Sequence, residues 1–254
     1  MMKTAKYIIA LLFVWQGFGA AAAGSDQAFD KAVKLYSSGE YSKAIDIYDS
    51  ILHSGVESWE LYYNLGNAWF KKEEYPKAIL FYEKALKINP SNPDIKYNLE
   101  LANSKIADKI EPLPVFFLKR WWLNFSGLLT EKQWGIATII LWALLMLASY
   151  IFFTTSSVGR KKIAFWFGVL MLVFSLTSGA AGYKQYRLAS SHKSAIVMTP
   201  TVNVKSSPDK GSTTIFVLHQ GTKVRLTEKI GNWYRITIAN GNKGWIKSED
   251  LRKI

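Results

Sequence analysis

The sequence predicts a multidomain protein with three structural parts: an all-α repeat solenoid, a transmembrane hairpin of two helices and a small all-β barrel. A 34-residue period in the first half of the chain predicts the solenoid. Two long apolar stretches without charged residues predict the hairpin. A final run of short strand patterns, separated by turn residues, predicts the barrel. The hydrophobic content of 49% over 254 residues agrees with a partly membrane-embedded chain.

The N-terminus has the layout of a secretory signal peptide. Lys3 and Lys6 precede a short apolar run at residues 7–14, and small residues follow up to Ala23. This pattern predicts a signal peptide over residues 1–23 that is cleaved after Ala23. An uncleaved anchor is the alternative, although the apolar run is too short to span about 30 Å as a helix. With either interpretation, the following domain is exported.

Residues 24–111 carry the 34-residue repeat. Positions that recur with this period are Tyr41 and Tyr75, Ala44 and Ala78, and Tyr48 and Tyr82. The second unit matches the tetratricopeptide pattern W-x2-L-G-x2-Y…A-x3-F…P at Tyr62, Leu65, Gly66, Trp69, Ala78, Tyr82, Ala85 and Pro90. The first unit is degenerate, with Ala32 in place of the glycine and Val56 in place of the proline. A third unit, residues 92–106, supplies one capping helix. These features predict a tetratricopeptide-repeat domain of two repeats plus a capping helix.

The first helices of the three units predict a concave peptide-binding groove. Positions i, i+4 and i+7 share one helix face, and here that face is rich in aromatic and asparagine side chains. Such side chains suit an extended or helical peptide, whose backbone amides asparagine can bind. The candidate groove residues are Phe29, Val33, Tyr36, Tyr63, Asn64, Asn67, Phe70, Tyr97 and Asn98. The alternative is that these side chains belong to the core or are covered by residues 112–130.

Residues 112–133 are predicted to be an interfacial amphipathic segment, because paired tryptophans next to Lys119 and Arg120 suit a membrane surface. Transmembrane helices are predicted at residues 134–153 and 163–183, joined by a cytoplasmic loop at residues 154–162. Neither span contains Asp, Glu, Lys, Arg or His, which argues against an ion pathway.

Membrane topology follows from export together with the basic loop Arg160-Lys161-Lys162. Short loops rich in Lys and Arg remain cytoplasmic, so both flanking domains are expected on the other side. The predicted location is a bacterial inner membrane, crossed twice, with the repeat domain and the C-terminal domain in the periplasm. A polar linker at residues 184–194 is expected to keep the C-terminal domain close to the bilayer.

Residues 195–254 resemble the bacterial SH3-like domains. The resemblance rests on Val202-Asn203-Val204-Lys205-Ser206-x-Pro208, Asn232-Trp233-Tyr234-Arg235-Ile236 and Gly241-x2-Gly244-Trp245-Ile246. Domains of this kind bind cell-wall peptides or proteins, so the resemblance implies a binding module. The candidate surface residues are Asn203, Trp233, Tyr234 and Trp245. The alternative is that both tryptophans chiefly pack the small barrel.

The order of these parts resembles the BatE-type proteins of the Bacteroides aerotolerance family. The resemblance covers the mature chain from end to end. It implies membership in a membrane-associated complex with other Bat proteins, several of which carry von Willebrand factor A-type domains. It also implies an envelope function linked to oxygen tolerance.

Composition and charge exclude several functional classes. The net charge of +13 is concentrated beside the apolar spans and in the last domain, whereas residues 24–111 hold 11 Lys and Arg against 14 Asp and Glu. This placement favours lipid headgroups over nucleic acid. The chain has no cysteine, and its three histidines lack ligand spacing, so no enzyme, metal or cofactor is expected. Two functions remain: a protein-protein scaffold organised by the groove, and a peptidoglycan-recognition module in the SH3-like domain.

Overall fold

The computed structural model describes residues 26–191 and 193–254. Within them the chain forms N-terminal helical repeats, two long apolar helices and a C-terminal antiparallel sheet, which confirms the predicted fold class. The predicted signal peptide lies outside the described residues.

The repeat domain consists of five helices that pack as successive antiparallel neighbours. They are α1 (26–37), α2 (Tyr41–His53), α3 (Trp59–Lys71), α4 (Tyr75–Ile88) and α5 (Pro93–Asn103). Local sequence sets their starts: the Ser58 hydroxyl accepts from the Leu61 N–H, and the Asn92 side chain accepts from the Asp94 and Ile95 N–H groups. The degenerate first repeat also forms both of its helices, α1 and α2.

Close approach of α3 and α4 depends on the absence of a side chain at Gly66. A Cβ atom placed there would lie 2.6 Å from the ring of Tyr82, which is itself 1% exposed. Ala78, on the facing helix, is fully buried. Small residues at these two positions explain the spacing of the tetratricopeptide pattern, because larger side chains would overpack the helix pair.

Three further helices follow, namely α6 (Phe117–Ser126), α7 (Glu131–Thr154) and α8 (Val158–Ala189). Both α7 and α8 are long and apolar enough to cross a membrane. They differ from the predicted boundaries, since only residues 155–157 separate them and α8 continues through residues 184–189, which were predicted as linker. Those residues include good helix formers, so their polarity ends the apolar span without ending the helix.

The two long helices pack through small residues on α8. A Cβ atom placed at Gly168 would already lie 3.6 Å from Ala148 Cβ, and the Ser178 and Thr138 hydroxyl oxygens lie 2.9 Å apart. Close packing of small residues with hydrogen bonds between hydroxyls is the arrangement that holds helix pairs together in an apolar solvent.

The C-terminal barrel contains seven strands in the order β3-β2-β6-β5-β4-β1-β7. Their bounds are β1 (Ser194–Val197), β2 (Thr201–Lys205), β3 (Thr214–His219), β4 (Lys223–Ile230), β5 (Trp233–Thr237), β6 (Lys243–Lys247) and β7 (Leu251–Lys253). All described pairings are antiparallel. The first six strands coincide with the short strand patterns that predicted the barrel. The seventh has only three residues, and pairing with β1 rather than local sequence defines it.

The barrel docks directly against the repeat domain. Ile196 of β1 and Ile254 at the C-terminus belong to the same buried cluster as Tyr62, Ile79 and Ile95 of the repeat helices. Two residues that follow α5 complete the contact: Ile106 packs on Gly221, and Leu113 packs on Gly241. The two modules therefore share a hydrophobic core.

Replacing Gly221 by alanine tests this packing. Gly221 has φ +91°, and a Cβ atom there would lie 2.5 Å from Ile106 Cγ2, whereas Gly55 has φ +86° with empty space around it. Both Gly→Ala changes cost about 1–2 kcal/mol of backbone strain. We expect Gly221→Ala to lower the free energy of unfolding by a further ~1–3 kcal/mol, because the added methyl group overpacks the interface. Unfolding of the detergent-solubilised chain measures this loss.

Ile106→Ala serves as the coupling control for this variant. The double mutant Gly221→Ala/Ile106→Ala should recover at least about 1 kcal/mol relative to the sum of the single changes, because the clash is then removed. Equal losses in Gly221→Ala and Gly55→Ala would contradict the described interface.

Candidate binding surfaces

The predicted groove lies along α1, α3 and α5, the first helices of the three units. Its outer positions are open: Tyr97 is 68% exposed, and Val33 and Leu101 are each 37% exposed. The other candidates are partly buried, namely Phe29, Tyr36, Tyr63, Asn64, Asn67, Phe70 and Asn98. Ser104, at the end of the same face, is exposed. The stripe is therefore open at α5 and at Val33 of α1, and it is partly buried at the other positions of α1 and along α3.

Each partly buried aromatic ring of the groove packs against a tyrosine of a second helix. The ring pairs are Phe29–Tyr48 at 5.8 Å, Tyr36–Tyr41 at 5.4 Å, Tyr63–Tyr82 at 6.0 Å and Phe70–Tyr75 at 5.4 Å. Tilted and edge-to-face contacts at these distances stabilise aromatic pairs. The four rings consequently hold the helices together while part of each remains in the groove.

A hydrogen-bond network crosses the groove floor. Asn98 Nδ2 donates to Tyr63 Oη at 2.8 Å and to Asn67 Oδ1 at 3.1 Å, and Tyr82 Oη donates to Asn67 Oδ1 at 2.8 Å. Burial raises the pKa of Tyr82, so its hydroxyl stays protonated as a donor at physiological pH. Because Asn67 Oδ1 already accepts two bonds, its NH₂ group is the part that retains capacity for a ligand.

Residues 112–130 leave the repeat domain and contact the barrel and the hairpin. The Leu113 N–H donates to the Ala239 carbonyl at 3.3 Å. At the end of α6, Trp134 Nε1 donates to the Ser126 carbonyl at 3.0 Å. On α6 itself Phe117 and Trp121 are 67% and 63% exposed, which gives this helix an aromatic surface.

A second candidate surface is a cleft of about 280 Å³ on the barrel. Trp233 and Asn203, two of the predicted surface residues, both line it. Three lysines and two acidic residues join them there, namely Lys205, Lys210, Lys247, Glu249 and Asp250. The cleft therefore combines an aromatic wall with an excess of positive charge.

Strand pairing explains how the cleft residues meet. Trp233 of β5 lies opposite Lys247 of β6, and Lys205 of β2 lies opposite Trp245 on the other side of β6. The lysines are scattered in the sequence and share no motif, so sequence reasoning missed them. The only available hint was the basic composition of the last domain.

The other two predicted surface residues lie elsewhere. Trp245 is only 8% exposed, so the prediction of a surface role for this side chain is corrected: β6 lies between β2 and β5, and its tryptophan is buried. Tyr234, adjacent to Trp233 on β5, lies outside the cleft near Lys229 and Lys253. A hydrogen bond from Lys253 is the main cause that lowers the pKa of Tyr234.

Polar contacts also fix the barrel on the repeat domain, beside the hydrophobic core that the two modules share. Asp108 accepts the His219 N–H at 2.8 Å, the His219 Nδ1 at 2.7 Å and the Thr222 hydroxyl at 2.6 Å. Glu83 of α4 accepts from Lys223 Nζ at 2.6 Å. Burial alone would raise the pKa of the Asp108 carboxyl, but these hydrogen bonds outweigh it and lower the pKa.

Comparisons with known families identify both modules. The model of the bacterial SH3 domain matches residues 200–252, and the model of the tetratricopeptide repeat matches residues 59–92. Both are non-catalytic interaction modules. The chain therefore contains a region similar to the tetratricopeptide repeat and a region similar to the bacterial SH3 domain. No curated protein sequence matches it.

Asp108→Asn tests the contacts of the Asp108 carboxylate with His219 and Thr222, through the pH dependence of the unfolding free energy. Because the folded pKa is depressed, the stabilisation is present above the unfolded pKa of about 3.9 and is lost as pH falls through the folded value. We expect Asp108→Asn to lose ~1–3 kcal/mol of unfolding free energy at pH 7, measured by thermal unfolding. The difference from the wild type should shrink towards pH 3.

Asp46→Asn, an exposed change on α2, is the matched control for loss of one negative charge. It should leave stability within about 0.5 kcal/mol of the wild type. If Asp108→Asn lost the same unfolding free energy at pH 3 and pH 7, the ionised Asp108 carboxylate would not be the cause of the loss.

Proposed function

We propose that this protein is a non-enzymatic, membrane-anchored scaffold of the cell envelope that binds partner proteins in its tetratricopeptide groove. The observation that carries the proposal is the open end of the groove, where Tyr97 is 68% exposed next to Asn98. An exposed aromatic beside an amide held by Tyr63 and Asn67 offers both an apolar contact and a fixed polar partner.

Membrane anchoring is supported by the composition of the hairpin. Helices α7 and α8 each contain a long apolar stretch, and most residues of these stretches are not buried against other parts of the described chain. The exposed aromatic side chains of α6 suit the membrane-water interface. We therefore propose a two-pass bacterial inner-membrane protein with the Arg160-Lys161-Lys162 end of the hairpin in the cytoplasm.

Docking of the barrel on the repeat domain supports the proposed topology. The hairpin enters and leaves the membrane between the two modules, and Asp108 and Glu83 of the repeat side contact His219 and Lys223 of the barrel. Modules in direct contact cannot lie on opposite sides of a bilayer about 30 Å thick. Contact therefore supports one shared side for both modules, and with the basic end of the hairpin in the cytoplasm that side is the periplasm.

The partner class that we propose is another envelope protein of a Bat-type aerotolerance complex, including members with von Willebrand factor A-type domains. The order of the modules along the chain supports this proposal, and family models match two of these modules. A partner segment would bind along α3 and α5, because the α4 side is occupied by the barrel.

Substitutions at the open end of the groove test this scaffold function. We expect Tyr97→Ala and Leu101→Ala, together, to reduce capture of native partners by the solubilised chain at least about tenfold, because exposed aromatic anchors dominate such interfaces. Ile230→Ala, which removes a 47% exposed side chain on the barrel, is the control. Quantitative mass spectrometry of captured proteins provides the measurement, and an unaltered partner set in the double variant would contradict the groove.

The alternative function is recognition of peptidoglycan by the SH3 domain. The cleft of Trp233 and Asn203 favours it, since its lysines suit the carboxylates of cell-wall stem peptides and its tryptophan suits their apolar side chains. The two functions are compatible, because the cleft and the groove lie on different modules.

Co-sedimentation of the full detergent-solubilised chain with purified peptidoglycan tests the cleft. Trp233→Ala and Lys247→Gln should each weaken binding about tenfold or more at low salt, through loss of stacking and of a charged hydrogen bond. Lys229→Gln, an exposed lysine outside the cleft, should have little effect. Equal weakening by Lys229→Gln would indicate charge attraction without a specific site.

A further inference from the structure

Acidic residues follow the groove with the same 34-residue period as its aromatic side chains. Three aromatic and three acidic positions recur in this way, namely Phe29, Tyr63 and Tyr97, and Asp26, Glu60 and Asp94. Each acidic residue lies three positions before its aromatic neighbour, so the two side chains share one helix face, about one turn apart. The first helix of every unit therefore brings one carboxylate next to the aromatic stripe.

The carboxylates of the groove helices are not paired with lysine. Glu60 and Asp94 lie in the first turns of α3 and α5. Neither forms an ion pair within the part of the chain that the structure describes. The acidic residues that precede the second helices differ, since each pairs with the lysine three positions after it, in Lys43–Glu40 and Lys77–Glu74. Unpaired negative charge is thus a property of the groove side of the repeats.

Tyr97 on α5 is the open aromatic ring of this stripe, and two carboxylates flank it. The side chain is 68% exposed, and Asp94 and Glu100, three residues before and three residues after it, are both exposed. Side chains three positions apart on a helix have Cβ atoms about 5–6 Å from each other. Both carboxylates are consequently within reach of a group that lies over the Tyr97 ring, next to the exposed Leu101.

Helix stability does not account for the carboxylate of Glu100. Asp94 stabilises α5, because a negative charge in the first turn faces the positive end of the helix dipole. Glu100 lies near the other end, since α5 ends at Asn103, and there a negative charge is unfavourable. The last turn of α5 contains no basic residue that would compensate for it. A cation supplied by a ligand would relieve this repulsion.

We propose that the groove binds a basic segment of its partner, with a lysine or arginine side chain over Tyr97 between Asp94 and Glu100. The aliphatic stem of that side chain packs on the ring and on Leu101, while its charged end interacts with the ring face and the carboxylates. Residues 24–111, with 11 Lys and Arg against 14 Asp and Glu, have the net charge that attracts such a segment. The inference rests on the proposed scaffold function, because it names the partner chemistry of the same groove.

Fluorescence anisotropy of labelled peptides with the full chain in an uncharged detergent tests this preference. Two peptides of about ten residues alternate leucine with either lysine or glutamine. We expect the lysine peptide to bind at least about tenfold tighter at low salt. The preference should shrink as the ionic strength rises from about 0.01 M to about 1 M, because salt screens exposed charges.

A double variant tests the two carboxylates that flank Tyr97. Asp94→Asn/Glu100→Gln should bring the affinities of the two peptides to within about twofold of each other, because the charged contacts are then lost. Asp46→Asn/Glu111→Gln is the control, since it removes the same number of negative charges at exposed positions outside the groove. This control should keep the lysine preference of the wild type.

Three results would overturn the inference: equal binding of both peptides to the wild type, a preference that salt does not reduce, or the same loss of preference in the control. Capture of native partners with Tyr97→Ala/Leu101→Ala tests the groove itself. A chain that loses its partners in that variant but binds both peptides equally refutes the basic segment alone. An unaltered partner set refutes the groove and the inference together.

Discussion

The hydrophobic interface between the barrel and the repeat domain is the contact on which the rest of the structure depends. Ile196 is fully buried and Ile254 is 8% exposed, and both lie in the core that the repeat helices build. Each repeat of a solenoid is stabilised by contact with neighbouring repeats, so an array of two repeats and a capping helix has only a small free energy of unfolding by itself. The barrel supplies the missing neighbour on the α4 side.

This arrangement separates the surface that docks the barrel from the proposed binding surface. The barrel covers α4, a second helix, and leaves the first helices α1, α3 and α5 with their aromatic stripe. The polar contacts of Asp108 and Glu83 then fix the position of the barrel, because apolar contact alone is not directional. The groove and the cleft are consequently held in one arrangement relative to each other.

The candidate sites show where sequence reasoning succeeds and where it stops. The groove stripe could be read from helical periodicity, because i, i+4 and i+7 positions share a face in any helix. The exposure of Tyr97 and the hydrogen bonds of Asn67 could not be predicted from the sequence, because they depend on the spacing of α3, α4 and α5. Likewise Trp233 and Trp245 have similar local sequence contexts, yet strand order buries only the second of them.

The sequence by itself determined the modules, because a 34-residue period, two uncharged apolar runs and a series of strand patterns are local signals that survive without tertiary context. Only the tertiary structure decided how the modules meet. Glu83 and Lys223, or Asp108 and His219, are far apart in the chain and carry no pattern, so their contacts depend on the docked barrel. Long-range contacts of this kind follow from burial of whole surfaces rather than from residue spacing.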